Sequence, residues 1–319
     1  MKKTIILNMF ILSSALIMFA GCHTSVRCSE KEELSVPYAP ITIVENQIQY
    51  PQEAISYSES LEQTQICTFV TIRGIEYSTS LTELELWDLG LRDEDIIPLR
   101  YMTNLVRLNL SSDVQFLYDT EPNPNMFYDL TPLSNLVNLE VLFLDEVGIS
   151  DLSPLAELAR LNTLSLSGNK ISDLSPLVAL SNLVFLDISL NQIQDISPLS
   201  ELTSLANLFL NNNEISTLPS FVGLDNLEWL ILCGNQIYDV LNLLGMTAIN
   251  NLNLSDNQIT DISPLGELHD LKSLFLGSNQ ISDLTPLSNH PNLMFLDLVD
   301  NPITDWSPVE HIENVFGRP

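Results

Sequence analysis

Asparagine returns every 22 residues at Asn169, Asn191, Asn213, Asn235, Asn257, Asn279 and Asn301. A period of that length specifies supersecondary units that stack on their neighbours, because one such unit cannot bury its own apolar face. The surrounding frame returns with it, as in Leu183-x-x-Leu186-x-Ile188-x-x-Asn191-x-Ile193-x-Asp195-Ile196-Ser197-Pro198-Leu199-x-x-Leu202. Its leading apolar position runs through Leu81, Leu105, Leu139, Leu161, Leu183, Leu205, Leu227, Ile249, Leu271 and Leu293, giving ten repeats over residues 81–309. An array of this kind grows in length instead of adding cores, so one elongated domain is expected.

The Leu-x-Leu piece of each repeat alternates inward and outward and is expected to be a strand. Every turn enters in the same direction, so the strands form a parallel sheet and the crossovers are right-handed. The fold class is therefore α/β: a right-handed solenoid with the sheet on its concave face and short 3₁₀ turns and loops on its convex face. Ten strands at ~4.8 Å make a concave face roughly 45 Å long. The ladder asparagine sits at the bend after the strand, where an amide supplies both donors and acceptors to backbone groups that cannot complete a ladder. The pairs Ser153-Pro154, Ser175-Pro176, Ser197-Pro198, Ser263-Pro264 and Ser307-Pro308 predict a serine N-cap followed by proline at the first position of a short helical turn. With so few residues, 3₁₀ geometry is expected.

A second column, Asp151, Asp173, Asp195, Asp239, Asp261, Asp283 and Asp305, falls four places after the ladder position. Stacked at about 5 Å, such carboxylates repel by roughly 0.8 kcal/mol in water. A carboxylate that accepts backbone N–H groups at a turn gains about 1 kcal/mol, so the column reads as structure. Calcium is the alternative, but neither the glycine-rich nonapeptide nor an EF-hand loop is present.

Two steps break the period, Leu81 to Leu105 and Leu105 to Leu139. The second carries an insertion near 111–128 whose aromatic residues Phe116, Tyr118, Phe127 and Tyr128 are candidate contacts, since insertions in repeat arrays map to loops that often lie on the binding face. A tolerated surface excursion is the alternative. Residues 41–80 are the candidate N-terminal cap, with a strand expected over 67–72, and residues 310–319 the C-terminal cap.

The chain opens with Lys2 and Lys3, an apolar run, and Phe19-Ala20-Gly21-Cys22. That is the layout of an export signal, too short for the ~20 apolar residues of a membrane span. Small residues before a cysteine resemble the bacterial lipobox, with Phe19 where leucine is usual. The resemblance implies a signal peptide over 1–21, a lipid on Cys22, a tether over 22–40 and a location at the cell envelope, where several acyl chains hold a protein stably. Loss of Lys2 and Lys3 would take the formal charge from −29 to −31. With no lysine or arginine between Lys170 and Lys272, nucleic-acid phosphates find no partner. Beyond Cys22 remain Cys28, Cys67 and Cys233, an odd number without zinc-ligand spacing. A Cys28–Cys67 bridge is open to them in an oxidising compartment.

The frame L-x-x-L-x-L-x-x-N-x-I-x-D-[IL]-[ST]-P-L resembles the bacterial leucine-rich repeat of the internalin type, over about residues 75–309. The resemblance implies the solenoid fold and a protein ligand bound on the concave face, as in host adhesion or surface recognition. A structural or self-associating role in the envelope is the alternative.

Three positions per strand point out of the concave face. Among them Phe143, Phe185, Phe209, Trp229, Ile231, Phe275 and Phe295 are large apolar groups expected to face water. Seven on one sheet predict a contiguous patch, and aromatic anchors are the usual hot spots of protein interfaces. Cross-strand stacking that stabilises the sheet is the competing role. The histidines His23, His269, His290 and His311 are scattered, and no nucleophile elbow, P-loop or dinucleotide fingerprint occurs. No catalytic residue, cofactor or metal is expected, and His290, at an inward leucine position, reads as a core substitution.

Overall fold

The protein is described by a computed structural model over residues 68–112 and 124–318. The expected leader, Cys22, the tether, Cys28, Cys67 and most of the N-terminal cap lie outside the described residues, as do Phe116 and Tyr118 of the insertion.

Among the described residues, eleven three-residue strands form one parallel sheet in chain order: β3 Glu83–Glu85, β4 Arg107–Asn109, β5 Val141–Phe143, β6 Thr163–Ser165, β7 Phe185–Asp187, β8 Asn207–Phe209, β9 Trp229–Ile231, β10 Asn251–Asn253, β11 Ser273–Phe275, β12 Phe295–Asp297 and β13 Asn314–Phe316. Ten were expected. The eleventh, β13, lies in the segment read as the C-terminal cap and pairs Asn314 with Phe295 after only 19 residues. Before the sheet, β1 (Phe69–Ile72) and β2 (Ile75–Ser78) form an antiparallel hairpin turned by Arg73 and Gly74, both at positive φ. Val70 and Ile72 of that hairpin join the core.

Leucine and isoleucine of the frame fill the interior as one continuous column, nearly all of them without exposed surface. His290 lies within it, buried, with Nε2 3.0 Å from the Leu265 carbonyl. Among the described residues, the convex side is made of nine 3₁₀ segments and one four-residue α-helix, Asp93–Ile96. The serine of each Ser-Pro pair proves not to be the cap. Ser153 is the first residue inside its 3₁₀ turn, and the carboxylate of Asp151 accepts its N–H at 2.9 Å. The same bond recurs from Ser175 to Asp173, Ser197 to Asp195, Ser263 to Asp261 and Ser307 to Asp305. Proline, next in line, has no N–H to cap, so the serine amide is the donor that needs an acceptor. These N–H bonds, then the serine hydroxyls, hold the carboxyls of Asp173, Asp195 and Asp305 below the usual range, and at Asp261 the Ser263 hydroxyl acts first and its N–H second.

The asparagine ladder joins adjacent turns. Asn213 Nδ2 donates to its own turn at Leu210 O and to the preceding one at Ile188 O, both at 3.0 Å, while its Oδ1 accepts the N–H of Ile193 at 3.0 Å. Asn125 makes the same pattern and belongs to the ladder. Its Nδ2 donates to Leu86 O (2.7 Å) and Leu110 O (2.8 Å), and its Oδ1 accepts the N–H groups of Leu89 and Leu91. The insertion thus falls between strand β4 and its rung, and the frame restarts as Asn125-x-Phe127-x-Asp129-Leu130-Thr131-Pro132-Leu133. Phe127 takes the inward isoleucine position and is 0% exposed, which corrects its assignment as a surface contact of the insertion. The position before each rung from Asn169 to Asn301 takes a left-handed backbone: Gly168, Asn212 and Gly234 adopt it, and so does Leu190 at φ 55°, whereas Pro124 before Asn125 does not.

Candidate functional site

The frame leucine of each strand points into the core, so the residues on either side of it face outward. The parallel register aligns these residues into columns. On β7 to β9, Phe185, Asn207 and Trp229 form the first column, and Asp187, Phe209 and Ile231 the second. The rings of Phe185 and Phe209 are tilted against each other with centroids 5.4 Å apart, a favourable aromatic pair. Phe185 and Trp229 remain half-buried at the surface.

The structure brings only some of the expected anchors together. Asn251 and Asn253 of β10 stand between Trp229 and Ile231 on one side and Phe275 on the other. Phe275 and Phe295 form a separate group on β11 and β12. Phe143 is cut off from both by Thr163 and Ser165 of β6. The expected single patch of seven is therefore two groups and an outlier. Phe143, Phe209 and Ile231 are moreover 5%, 5% and 4% exposed, not open to water as expected. Their neighbours cover them: Phe209 lies under Phe185, and the Arg107 guanidinium sits 4.9 Å over the Phe143 ring while bonding Glu85 at 3.0 Å. Cross-strand contacts hold Phe143 and Phe209 in the sheet, Ile231 is buried beside them, and the half-exposed Phe185, Trp229, Phe275 and Phe295 form the accessible surface. Of the insertion residues, Tyr128 is 53% exposed, with Lys170 Nζ 5.9 Å from its ring centroid.

Three aspartates, Asp145, Asp187 and Asp297, lie on this face besides Glu83 and Glu85 of β3. They occupy outward positions and were not singled out by sequence. Asp145 is fully engaged, its Oδ1 accepting Ser165 Oγ and the Ser167 N–H and its Oδ2 accepting Ser111 Oγ. Burial nonetheless raises its carboxyl above the ordinary range. Asp187 is pushed up to about 6, first by burial and then by repulsion from Asp145. Burial also raises Asp297, with Asp256 and Asp300 adding repulsion. Carboxylates held this way favour a partner that brings positive charge. The signal that could have drawn attention to two of them is a repeated tripeptide, Phe185-Leu186-Asp187 and Phe295-Leu296-Asp297.

Among the described residues, no group of three or more His, Cys, Asp or Glu side chains is arranged to hold a metal ion. The calcium alternative for the convex aspartates meets carboxylates whose Oδ1 atoms already cap backbone N–H groups.

Family profiles described as leucine-rich repeats match residues 137–179, 159–201 and 247–289 in two-copy form, and residues 181–237 in a second form. No curated protein matches the chain. Among solved structures, internalin C2 from Listeria monocytogenes is 34% identical, over 57% of this chain and 81% of that one, with a TM-score of 0.55. A second Listeria monocytogenes internalin is 29% identical over 77% of this chain and 91% of that one, with a TM-score of 0.51. The leucine-rich-repeat ectodomain of a plant receptor kinase from Arabidopsis thaliana shares the fold, with a TM-score of 0.64 at 22% identity, over 75% of this chain and 30% of that one. Proteins built on this repeat generally serve as scaffolds for protein–protein interaction. Eleven parallel strands, an asparagine ladder and this identity to an internalin place the chain in the leucine-rich-repeat family, with repeats of internalin-like type.

Proposed function

We propose that the chain is a non-enzymatic module, held at the cell envelope by a lipid on Cys22, that binds a protein ligand through its concave face in adhesion or surface recognition. The observation that carries the binding part is the register of β7 to β9, which sets Phe185, Phe209, Trp229 and Ile231 side by side with two of the four still accessible. Ten strand spacings of ~4.8 Å give a face roughly 48 Å long, enough for the ~800 Å² per partner of a standard interface. The double variant F185A/W229A tests it, because both side chains are partly exposed and their loss leaves the core intact. Crosslinking capture with the full chain, from host-cell and envelope extracts, should lose partners in the variant. An unchanged partner set with an unchanged urea midpoint would sink the proposal.

Anchoring rests on the sequence from Lys2 to Cys22. Metabolic labelling with a tagged fatty acid should mark the wild type and spare Cys22→Ala, and label retained in that variant would overturn the anchor.

A further inference from the structure

The middle outward positions of β7 to β12 lie in one line: Asp187, Phe209, Ile231, Asn253, Phe275 and Asp297. Apolar side chains fill most of that line, and a carboxylate closes it at each end. The two ends share one backbone bond, and Asp187 Oδ1 accepts the Ser189 hydroxyl as well. Asp187 Oδ1 accepts the Ser189 N–H at 2.9 Å, and Asp297 Oδ1 accepts the Val299 N–H at 3.0 Å. The Oδ2 atom of each has no hydrogen bond or ion pair among the described residues. Asp145, by contrast, has both oxygens engaged.

A half-buried carboxylate without a counter-ion is costly, and among the described residues neither Asp187 nor Asp297 has one. The charged groups that act on Asp187 and Asp297 are Asp145, Asp256 and Asp300, all acidic. Each carboxylate also has phenylalanines beside it: Phe185 and Phe209 at one end, Phe275 and Phe295 at the other. A lysine stem or a guanidinium plane lies favourably on such rings while its charged head meets the carboxylate. Asn253, midway, is 7% exposed and its Oδ1 already accepts the Ser255 N–H at 3.0 Å, which leaves its amide Nδ2 as the donor to a backbone laid across the strands.

We infer that the concave face receives an extended polypeptide segment with two basic side chains, one docking at each Phe–Asp end, and apolar side chains between them. The inference rests on the concave-face reading above and specifies the partner's chemistry. Five strand steps at ~4.8 Å separate the carboxylates by about 24 Å, which an extended chain at ~3.4 Å per residue spans in roughly seven residues.

The test uses the full chain and a fluorescein-labelled peptide with two lysines seven residues apart and alanine and leucine between, against the same peptide with glutamine for lysine. At low salt the lysine peptide should bind wild type at least tenfold more tightly than the glutamine peptide. D187N/D297N should erase that preference. Asparagine retains the acceptor for the Ser189 and Val299 amides, so folding is not at stake. The convex pair D195N/D261N removes the same charge and should keep the preference. Equal binding of the two peptides to wild type, no binding of either, or a lysine preference that survives D187N/D297N would overturn the inference. If F185A/W229A abolishes binding of both peptides while D187N/D297N changes nothing, the concave binding face stands and only the basic-segment inference fails.

Discussion

Asn125→Ala removes the rung that the insertion displaced, and its cost follows from the hydrogen bonds it strands. The N–H groups of Leu89 and Leu91 and the carbonyls of Leu86 and Leu110 have no other hydrogen-bond partner among the described residues. The carbonyl of Ser111 keeps the Asp88 N–H. An unpaired buried group costs about 1–3 kcal/mol, with carbonyls at the low end. The Leu89 amide sits beside a side chain that is 40% exposed, so water partly compensates it. The sum is about 3–5 kcal/mol, a large share of the ~5–15 kcal/mol that holds a domain folded. Because each repeat contacts only its neighbours, the loss should fall on β1 to β4 instead of spreading along the array. Urea unfolding followed by hydrogen exchange should show the amides of Leu89, Leu91 and Leu108 exchanging early while those of Leu230 and Leu274 keep their protection. Asn182→Ala, which removes one exposed bond to the Ala159 carbonyl, is the control. A destabilisation below about 1 kcal/mol, or one matched by the control, would refute the assignment of Asn125 to the ladder.

Other substitutions test the electrostatics and the backbone. Asp187 titrates near 6 in the fold against an ordinary 3.8, so between those pH values the folded state binds more protons than the unfolded one and this group makes the fold less stable as pH rises. Asp187→Asn should remove that slope and raise stability at pH 7 by roughly 1–3 kcal/mol, read from urea midpoints at pH 4 to 7. His290 is the opposite case: burial lowers its pKa below the ordinary 6.5, so stability present above 6.5 is lost as pH falls and the ring is driven to charge in the core. His290→Leu should flatten the acid side of the Tm profile, and Leu265 O keeps the Leu268 N–H. A profile unchanged by the substitution would place acid sensitivity elsewhere. Leu190 holds φ 55° where neighbouring repeats use glycine or asparagine, so Leu190→Asn should stabilise by about 0.5–1 kcal/mol. A lower urea midpoint would show that the leucine side chain matters more than its backbone.

The period, the inward leucines and the ladder were legible because each depends on local frame alone. Asn125 is hidden from a forward count, because the rung of Leu105 would fall on Asp113. Counting back by 22 residues from Val147 and Asn169 reaches it, since the insertion precedes the rung and leaves everything after it in phase. The same displacement hides the inward place of Phe127 and the place of Asp129 in the aspartate column, where its carboxylate caps Thr131 at 2.8 Å like the others. The outward positions of each strand were also legible. Their exposure was not, because it depends on what the next strand carries at the diagonal position: Phe185 for Phe209, Arg107 for Phe143. Serine in the Ser-Pro pairs looked like a cap by composition, while the carboxylate two residues earlier was the stronger acceptor.

The central claim is that recognition lies on the variable residues of the concave strands, while the convex aspartates and the ladder serve the scaffold. Partner capture by wild type, F185A/W229A and D195N/D261N, run side by side on protein of matched stability, tests it most directly. The account predicts that F185A/W229A loses the captured partner and D195N/D261N retains it. Loss in D195N/D261N with retention in F185A/W229A would contradict it.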